Sequence, residues 1–456
     1  MQHSIFGTDG IRGRVGLEPI TALSLVKIGY CFAKEMFGDD KGVVIIGHDG
    51  RESSDMIIKN LSKGISAQGS EVKNSGLAST PSIAVYLNIK SIASLVGIQV
   101  TASHNSYEDN GMKFFNHTGF KISQTNESNI NSLFHNLESM NYQDVVIRES
   151  DISIKETYLE FIKNYISTKL PILHKNSKKL FVIFDCANGA LSDSINEILD
   201  ILPIKYSVHN KKPDGKNIND NCGSTKINYI CNVMSDLNRK NSESIDLGVS
   251  FDGDGDRVIF VDEDCHVFDG DDIVFLLSQY LSESTSYSKI AVGTFMTNYG
   301  IRNLYKIKNI NFLETEVGDK YVLEEIKKNN AIIGGESSGH IIINNDNLLL
   351  GDGIITFLHV LEMLLNQNKK LGDYREIINK LPSKLINIRV QDKESTLSSK
   401  YNQDLIKKIN NSIGREGRIL VRASGTEDLI RVLVEHSDVK QLNYFLDYFC
   451  DNIKKH

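Results

Sequence analysis

The stretch SLVGIQVTASHNSYEDNGMKFF, from Ser94 to Phe115, holds an apolar segment, a polar loop and a second, largely apolar segment. LVGIQV has the length and composition of a buried strand, and Ser103 follows shortly after it. Strands that alternate with helices form mostly parallel sheets, whose ligands bind beyond the carboxyl ends of the strands. The stretch therefore predicts an α/β fold and places Ser103 where such folds carry out chemistry.

Segments on both sides repeat this alternation. Helical spacing of apolar residues predicts a helix from Ala22 to Met36, and VVIIG, from Val43 to Gly47, predicts a buried strand. Similar blocks around LFVIFDCANGA, IDLGVSFDGDGDR and AIIGGESSGHIII predict three similar mixed βαβ sandwich domains. KLINIRV, GRILVRAS, IRVLVEH and a final helix predict a smaller C-terminal α+β domain. The predicted domain bounds are 1–152, 153–258, 259–378 and 379–456.

Composition narrows the class of protein. The chain has 456 residues, a formal net charge of −7 and a pI near 6.0, so it lacks the basic surface typical of nucleic-acid binding. Its longest apolar run, from Ile354 to Leu365, is too short to span a bilayer. The opening residues lack a signal peptide, and six scattered cysteines favour a reducing compartment. We expect a cytoplasmic protein that binds neither nucleic acid nor membrane.

The segment FDGDGDRVIFVDE, from Phe251 to Glu263, places Asp252, Asp254 and Asp256 at alternate positions. Carboxylate oxygens that converge on one loop suit Mg²⁺ or Ca²⁺. An EF-hand calcium loop is disfavoured, because Arg257 stands where that loop needs glycine and VIFV has the pattern of a strand. An acidic hairpin turn is the other interpretation. We predict a metal site in which each carboxylate gives one oxygen, with Arg257 holding a phosphate.

The segment RASGTEDLIR, from Arg422 to Arg431, combines a Ser-Gly-Thr turn with two arginines. Backbone N–H groups, hydroxyl groups and a bidentate guanidinium together suit a phosphate. A polar loop with surface arginines is the alternative. The density of donors favours a phosphate cradle made by Arg422, Ser424, Gly425, Thr426 and Arg431.

Three more glycine turns carry polar side chains. GGESSGHI, from Gly334 to Ile341, offers Glu336, Ser338 and His340, and Glu336 suits sugar hydroxyl groups. A turn with a solvated glutamate explains this segment equally well. FGTDGIRG, from Phe6 to Gly13, and GHDGR, from Gly47 to Arg51, each bring an arginine after a glycine turn. Several such loops in one chain suggest a site for more than one anion.

These segments together indicate what Ser103 accepts. An acyl hydrolase would place its serine in a G-x-S-x-G turn, which the sequence around Ser103 lacks. A hydrolase also leaves the aspartate loop unexplained. Phosphoryl transfer uses a metal to neutralise charge, arginines to hold oxygens and a serine to carry the group. We therefore predict that Ser103 takes a phosphoryl group.

Five motifs, in order along the whole chain, resemble the α-D-phosphohexomutase superfamily: FGTDGIRG, TASHN with DNGMKFF, DGDGDR, GGESSGH, and RASGTE with IRVLVE. FGTDGIRG and the segment GKNINDNCGST, from Gly215 to Thr225, resemble its glucosamine branch in particular. The resemblance implies four domains around a central cleft lined by one loop from each. It implies a phosphorylated Ser103, whose phosphate holds one Mg²⁺ together with Asp252, Asp254 and Asp256.

The resemblance also implies catalytic roles for Lys113, Arg12 and His340 and a binding role for Arg257. Lys113 and His340 are candidates for proton transfer and charge stabilisation, and the motifs do not rank them. Arg12 and Arg257 would steady the phosphoserine. Water would have to be excluded from the phosphoserine, so we expect the last domain to close over the site.

The implied reaction converts glucosamine 6-phosphate to glucosamine 1-phosphate and supplies amino-sugar precursors of the cell wall. Glu336 and Ser338 would contact the sugar hydroxyl groups, and the 422–431 loop would hold the phosphate that is not transferred. The phosphoserine would form glucosamine 1,6-bisphosphate, which turns in the cleft and returns its other phosphate to Ser103. The resemblance is also compatible with a homodimer.

Three alternatives stand beside this hypothesis. A phosphoglucomutase or phosphomannomutase would use the same chemistry on another sugar, a metal phosphatase would pass the phosphoryl group to water, and a sugar-phosphate sensor would need no nucleophile. The sequence departs from the family pattern at Ser106 and Asp428, where proline is usual, and at Lys226, where histidine is usual. None of these departures removes a residue that the resemblance assigns to chemistry.

Overall fold

The structure is a computed structural model that describes residues 4–137, 145–175, 180–240, 244–284, 288–344, 348–424 and 428–454. The chain divides into two compact units, one formed by Met1–Phe295 with Leu313–Tyr374 and the other by Met296–Phe312 with Arg375–His456. The described residues contain four sheets flanked by helices, which confirms the predicted α/β class.

The first sheet carries Ser103 and Lys113. Its strands are β1 (Ile11–Arg14), β2 (Val43–His48), β3 (Glu71–Leu77), β4 (Leu95–Val100), β5 (Asp109–Phe115) and β6 (Glu149–Asp151), in the order β1-β5-β4-β2-β3-β6. β2 runs parallel to β3 and β4, whereas β5 runs antiparallel to β4 and β1. Because Gln99 of β4 lies opposite Lys113 of β5, the loop that holds Ser103 starts beside Lys113.

Helices bury the apolar faces of this sheet. They are α1 (Ala22–Phe37), α2 (Ser54–Gln68), α3 (Thr80–Lys90) and α4 (Gln124–Asn136). The helical spacing read from residue 22 onward is confirmed, and Leu25, Ile28 and Phe32 lie in the buried core. α1 and α2 approach closely through glycine, since a Cβ on Gly64 would lie 1.9 Å from the carbonyl oxygen of Val26.

The second sheet carries the aspartate loop. Its strands are β7 (Leu180–Asp185), β8 (Ile204–His209), β9 (Leu247–Phe251), β10 (Val258–Asp262) and β11 (Val267–Phe268), in the order β11-β10-β9-β7-β8. β7 is parallel to β8 and β9, and β9 forms an antiparallel hairpin with β10. The segment after the aspartates is therefore a strand, as expected. Nearby helices are α5 (Lys155–Lys169), α6 (Ile172–Lys175), α7 (Ile195–Leu199) and α8 (Asn228–Lys240), with a 3₁₀ turn at Ala190–Asp193.

The third sheet carries the GGESSGH turn. Its strands are β12 (Ser288–Thr294), β13 (Asn311–Thr315), β14 (Ala331–Gly335) and β15 (Ile341–Ile343), in the order β13-β12-β14-β15. β12 and β14 are parallel, and β14 turns back into antiparallel β15. The helices of this region are α9 (Gly270–Ser284), α10 (Tyr299–Ile307), α11 (Asp319–Asn329) and α12 (Gly353–Gln367), with a 3₁₀ turn at Leu371–Tyr374. α10 belongs to the second compact unit.

The C-terminal sheet is fully antiparallel. Its strands are β16 (Ser383–Arg389), β17 (Gly417–Ala423) and β18 (Leu429–His436), in the order β16-β18-β17. Helices α13 (Lys393–Ser398), α14 (Lys400–Ile413) and α15 (Val439–Asn452) accompany it. The three strands and the final helix expected from the sequence are all present, so the predicted α+β character of this region is confirmed.

The sequence also led to expectations about membrane-spanning helices and about the state of the cysteines. Among the described residues, no helix combines the length and apolar character needed to cross a membrane. The apolar run from Ile354 to Leu365 forms most of α12, which is buried in the protein. All six cysteines fall within the described ranges and are free thiols.

Candidate active site

Ser103 lies in the loop between β4 and β5, and its side chain is fully buried. Its φ of +53° is in the left-handed region, which is strained for a residue with a Cβ. The hydroxyl donates a hydrogen bond from Oγ to Asp252 Oδ2 at 2.6 Å. Two segments that are 149 residues apart therefore meet at this bond, and the serine and the aspartate loop form one site.

Asp252, Asp254 and Asp256 occupy the turn between β9 and β10, and all three are buried. One carboxylate oxygen from each lies within 4.8 Å of the others. In the part of the chain that the structure describes, the Oδ1 atoms of Asp254 and Asp256 are buried without a hydrogen-bond partner. A buried carboxylate oxygen that accepts no hydrogen bond destabilises the folded protein unless a cation lies next to it. The hard oxygen set therefore fits Mg²⁺, the predicted metal, better than a plain hairpin turn.

Lys113 supplies a positive charge to these carboxylates. Its side chain is 1% exposed, and Nζ lies 2.7 Å from Asp254 Oδ2 and also donates to Asp256 Oδ2. Burial alone would lower the pKa of Lys113, but the Asp254 and Asp256 carboxylates outweigh burial and raise its pKa well above the ordinary value. The ammonium therefore stays charged, which suits charge stabilisation rather than acceptance of a proton.

Three residues to which no motif gave a role extend this charge network. Lys121 Nζ forms ion pairs with Asp9 Oδ1, at 2.5 Å, and with Asp319. Asp9 Oδ2 in turn lies 3.5 Å from Lys113 Nζ. Asp9 stands inside FGTDGIRG, which is a usable sequence signal, whereas Lys121 and Asp319 carry none. Only the fold brings these side chains together.

His340 closes the network into a ring. Its Nδ1 lies 3.6 Å from Asp256 Oδ2, and its Nε2 lies 3.6 Å from Asp319 Oδ2. Burial would lower the pKa of His340, but the facing Asp256 and Asp319 carboxylates raise it above the ordinary value. Acidic and basic groups thus alternate around a closed ring of six side chains: Asp9, Lys113, Asp256, His340, Asp319 and Lys121.

Two arginines near His104, the neighbour of Ser103, carry Nε–H groups that make no hydrogen bond to any described residue. Arg257 Nη1 lies 3.1 Å from His104 Nδ1, and Arg12 Nη2 lies 2.5 Å from Asp9 Oδ2. Within the described ranges, the Nε atoms of Arg12 and Arg257 are buried without a hydrogen-bond partner. Burial, together with the charges of Arg257 and Arg12, lowers the pKa of His104 to about 4. A neutral His104 can accept from Arg257. In the part of the chain that the structure describes, the Nε–H groups of Arg12 and Arg257 make no hydrogen bond, although Arg257 Nε lies 3.9 Å from both Asp252 Oδ2 and Asp256 Oδ1, so both groups can donate to an anion.

The GGESSGH turn joins β14 to β15 and carries the residues expected at the sugar. Glu336 Oε1 accepts a hydrogen bond from the Gly318 backbone N–H at 3.0 Å, and burial raises the pKa of this carboxyl. Ser338 is exposed on the turn, while His340 points into the charge ring. The turn therefore offers polar groups next to the ring, and the sugar contacts of Glu336 and Ser338 stay a prediction.

The predicted phosphate cradle lies in the second compact unit, at the turn between β17 and β18. Arg422 and Arg431 lie directly opposite each other across the two strands. Like charges in such a pair destabilise a sheet, and burial with the Arg431 charge lowers the pKa of Arg422. Ser424 Oγ is buried and has no partner among the residues described. Gly425 and Thr426 lie outside the described residues, so their part in the cradle stays a prediction.

Four family models match consecutive parts of the chain. All four describe domains of phosphoglucomutase/phosphomannomutase: alpha/beta/alpha domain I at residues 3–141, domain II at 156–266, domain III at 269–381 and the C-terminal domain at 385–452. Together they cover most of the sequence. The four-domain organisation implied by the motifs is thereby confirmed, while the individual domain bounds stay predictions.

Similar proteins identify the branch. A phosphoglucosamine mutase from Caldicellulosiruptor bescii is 37% identical over 447 residues, covering 96% of each chain, and one from Ruthia magnifica is 36% identical over 435 residues, covering 95% of this chain and 96% of that one.

Solved structures share the fold. A phosphoglucomutase/phosphomannomutase family protein from Burkholderia thailandensis matches with a TM-score of 0.79 at 20% identity, over 99% of this chain and 97% of that one. An Aspergillus fumigatus N-acetylphosphoglucosamine mutase in complex with GlcNAc-6P and magnesium matches with a TM-score of 0.69 at 17% identity, over 98% and 95%. The chain belongs to the phosphoglucosamine mutases, isomerases of the α-D-phosphohexomutase superfamily.

Proposed function

We propose that the chain interconverts glucosamine 6-phosphate and glucosamine 1-phosphate through a phosphoserine at Ser103. The observation that carries this proposal is the 2.6 Å hydrogen bond from Ser103 Oγ into a group of three buried carboxylates. A serine in that setting suits a phosphoryl group bound beside a cation. Membership in the phosphoglucosamine mutases supports glucosamine as the sugar.

Asp252, Asp254 and Asp256 would hold Mg²⁺ together with an oxygen of the phosphate on Ser103. When bound, Mg²⁺ would neutralise negative charge on the transferred group. The buried Oδ1 atoms of Asp254 and Asp256 support this assignment, since neither accepts a hydrogen bond from a described residue and each has a lone pair to give. Arg12 and Arg257 would hold the remaining phosphate oxygens through their Nε–H groups, which make no hydrogen bond among the residues that the structure describes.

The reaction balances as two transfers of one phosphoryl group each. The 1-hydroxyl of glucosamine 6-phosphate attacks phosphorus, the bond from phosphorus to Ser103 Oγ breaks, and glucosamine 1,6-bisphosphate forms. After the bisphosphate has turned, Ser103 Oγ attacks the 6-phosphate, the bond from that phosphorus to the sugar O6 breaks, and glucosamine 1-phosphate leaves. O6 takes up one proton in this step, which balances the proton that the 1-hydroxyl lost in the first. We assign charge stabilisation to Lys113 because its ammonium is fixed by two carboxylates, which leaves His340 as the candidate for proton transfer.

A mutase must also hold the phosphate that is not being transferred, and either end of the sugar must be able to take that position. The opposed arginines Arg422 and Arg431, with the buried hydroxyl of Ser424, supply donors for it. An anion bound there would relieve the repulsion between the two guanidinium groups. Glu336 and Ser338 would accept and donate hydrogen bonds to the sugar hydroxyl groups.

A coupled assay for glucosamine 1-phosphate tests the proposal. The enzyme is given glucosamine 6-phosphate, Mg²⁺ and a trace of glucose 1,6-bisphosphate, with glucose and mannose phosphates in parallel. We expect the highest kcat/KM on glucosamine phosphate. Preference for glucose or mannose would refute the sugar assignment and keep the phosphoserine. Steady release of free phosphate instead of an isomer would indicate a phosphatase and refute the mutase.

Two expectations about the whole protein stay predictions. They are a cytoplasmic location and a homodimeric state, neither of which follows from the geometry of the site. Sedimentation of the purified chain at several concentrations would test the second: a mass of twice 51.0 kDa is expected for a dimer. Fractionation of the source cells would test the first.

A further inference from the structure

The backbone of Ser103 is held by two side chains that do not reach its hydroxyl group. A φ of +53° at a serine persists only where the surroundings impose it. The carbonyl oxygen of Ser103 accepts one hydrogen bond from Arg51, in the loop between β2 and α2, and one from Asn219, in the segment between β8 and α8. Side chains from two separate parts of the chain therefore donate hydrogen bonds to the same carbonyl group.

Both Nη atoms of Arg51 donate hydrogen bonds to backbone carbonyl oxygens between Ser103 and Asp109. Nη2 donates to the carbonyl oxygens of Ser103 at 3.0 Å and Asn105 at 2.9 Å. Nη1 donates to those of Asp109, at 2.9 Å, and Ser106. Since Nε donates to a carboxylate as well, all five N–H groups of a side chain that is 2% exposed are used. The expectation that the GHDGR arginine contributes to an anion site is therefore wrong.

Asp49 links Arg51 to the other side of the Ser103 residue. Asp49 Oδ2 accepts a hydrogen bond from Arg51 Nε and another from Thr101 Oγ1, at 2.6 Å. Thr101 Oγ1 in turn accepts from the backbone N–H of Ser103 at 2.8 Å. Both sides of the Ser103 residue, N–H and carbonyl, are thus fixed by one connected network. Such a network leaves the residue little freedom to leave the left-handed conformation.

Asn219, in a different segment, is the second residue whose side chain donates to the Ser103 carbonyl oxygen. Its Nδ2 donates to the carbonyl oxygens of Ser103 at 2.8 Å and Asn105 at 3.0 Å, which are two of the acceptors that Arg51 uses. Asn219 is itself left-handed, with φ of +55°, and is 7% exposed. The segment GKNINDNCGST, taken from the sequence as a mark of the sugar, thus acts on the serine loop through Asn219.

We propose that Arg51 and Asn219 are positioning residues for phosphoryl transfer. They hold Ser103 in the left-handed conformation in which Oγ points to Asp252, and so set the fraction of enzyme molecules ready to react. This inference rests on the proposed phosphoserine mechanism. Because neither side chain reaches Oγ, their loss should lower kcat and leave the KM for the sugar phosphate nearly unchanged.

The test uses Asn219→Asp, which keeps the shape of the side chain and tolerates a left-handed backbone but replaces the donor with an acceptor. We expect kcat to fall ~10- to 100-fold, as for a misplaced reacting group, with KM within about two-fold. Asn219→Gly removes the donor without adding charge and should also lower kcat, by about ten-fold. Asn217→Ala is the matched control, because among the described residues the side chain of Asn217 bonds only to Asp214 and Lys212 of its own segment.

Two readouts are taken on each variant. One is steady-state kcat and KM for glucosamine 6-phosphate, with the thermal unfolding midpoint as a check of folding. The other is the rate at which glucose 1,6-bisphosphate phosphorylates Ser103, followed by mass spectrometry of the intact protein, which does not depend on the sugar preference. We expect both rates to fall in the Asn219 variants and to stay normal in the control.

Failures of the two proposals look different. Wild-type enzyme that neither isomerises glucosamine phosphate nor takes up phosphate on Ser103 would overturn the proposed function, and this inference with it. An active wild type with normal kcat and normal Ser103 phosphorylation in Asn219→Asp would overturn the inference alone. So would an equal loss in Asn217→Ala, or a raised KM with unchanged kcat, because either would indicate a general or a substrate-binding role.

Discussion

Replacement of Lys113 by Met tests the electrostatic account of the site most sharply. Methionine keeps the unbranched, flexible chain, so the change removes the charge with little loss of packing. Lys113 is 1% exposed and pairs with Asp254 and Asp256, which are 0% and 1% exposed. Without it, two adjacent carboxylates are left buried and uncompensated, apart from the longer contacts of Asp256 with His340 and Arg257.

Removal of one partner from a buried ion pair typically costs about 3–5 kcal/mol. We expect Lys113→Met to lose stability of that order when Mg²⁺ is absent. Mg²⁺ bound to the aspartates would replace the missing charge, and saturation at a hundred times Kd stabilises a folded protein by about 2.7 kcal/mol. In the wild type the gain should be smaller, since the cation must compete with the ammonium for Asp254 and Asp256.

The assay is urea unfolding in excess EDTA and in excess MgCl₂. We expect Mg²⁺ to raise the unfolding midpoint more for Lys113→Met than for the wild type, and kcat to fall ~100-fold or more. Lys121→Met is the matched control. Lys121 also bridges two aspartates, Asp9 and Asp319, but has no ion pair with the three metal-loop carboxylates. Its Mg²⁺ response should equal that of the wild type.

An equal or smaller Mg²⁺ response in Lys113→Met would refute the reasoning, because it would mean that the ammonium and the cation do not share the same carboxylates. A Lys121→Met variant with the same enlarged response would also refute it, since the effect would then be general to the charge ring.

Three further predictions concern other parts of the molecule. Burial lowers the pKa of His359 from 6.5 to about 4, so the neutral ring contributes its full stability above pH 6.5. That contribution should be lost as the pH falls toward 4, by up to about 1.4 kcal/mol per pH unit. His359→Gln should remove this part of the acid sensitivity when unfolding midpoints are measured against pH. Arg431→Met should raise KM for the sugar phosphate about ten-fold or more without loss of stability in phosphate-free buffer, because it relieves the like-charge pair with Arg422. Gly253→Ala should lower kcat ~100-fold, since a Cβ there would lie 2.5 Å from the carbonyl oxygen of Ser103.

Features that depend on local pattern could be predicted from the sequence. The run LVGIQV, bounded by polar segments, forms β4, and the serine after it lies at the carboxyl end of the strand. The alternating aspartates of DGDGDR form the turn of a hairpin and also a cluster of carboxylates, so the two interpretations of that segment are both partly right. Apolar periodicity and glycine turns act over a few residues, which is why they can be read along the chain.

Contacts between distant segments could be predicted where the family motifs imply them, as for Ser103 and Asp252, but not outside those motifs. Lys121 and Asp319 are 198 residues apart, and neither stands in a recognisable motif. Arg51 stands in a glycine–arginine turn that suggested an anion site. Its Nη1 and Nη2 atoms instead donate to four carbonyl oxygens between Ser103 and Asp109, and its Nε donates to Asp49. The left-handed backbone of Ser103 likewise results from partners in other segments. Periodicity carries no information about such pairings.

The central claim is that Ser103 carries the transferred phosphoryl group. We would label the phosphoserine with ³²P, remove excess label, and follow a single turnover with glucosamine 6-phosphate and Mg²⁺. The account predicts that label leaves the protein and appears in glucosamine phosphate or bisphosphate, and that Ser103→Ala takes up no label and has no mutase turnover. Label that stays on the protein during turnover, label released as free phosphate, or substantial turnover by Ser103→Ala would contradict it.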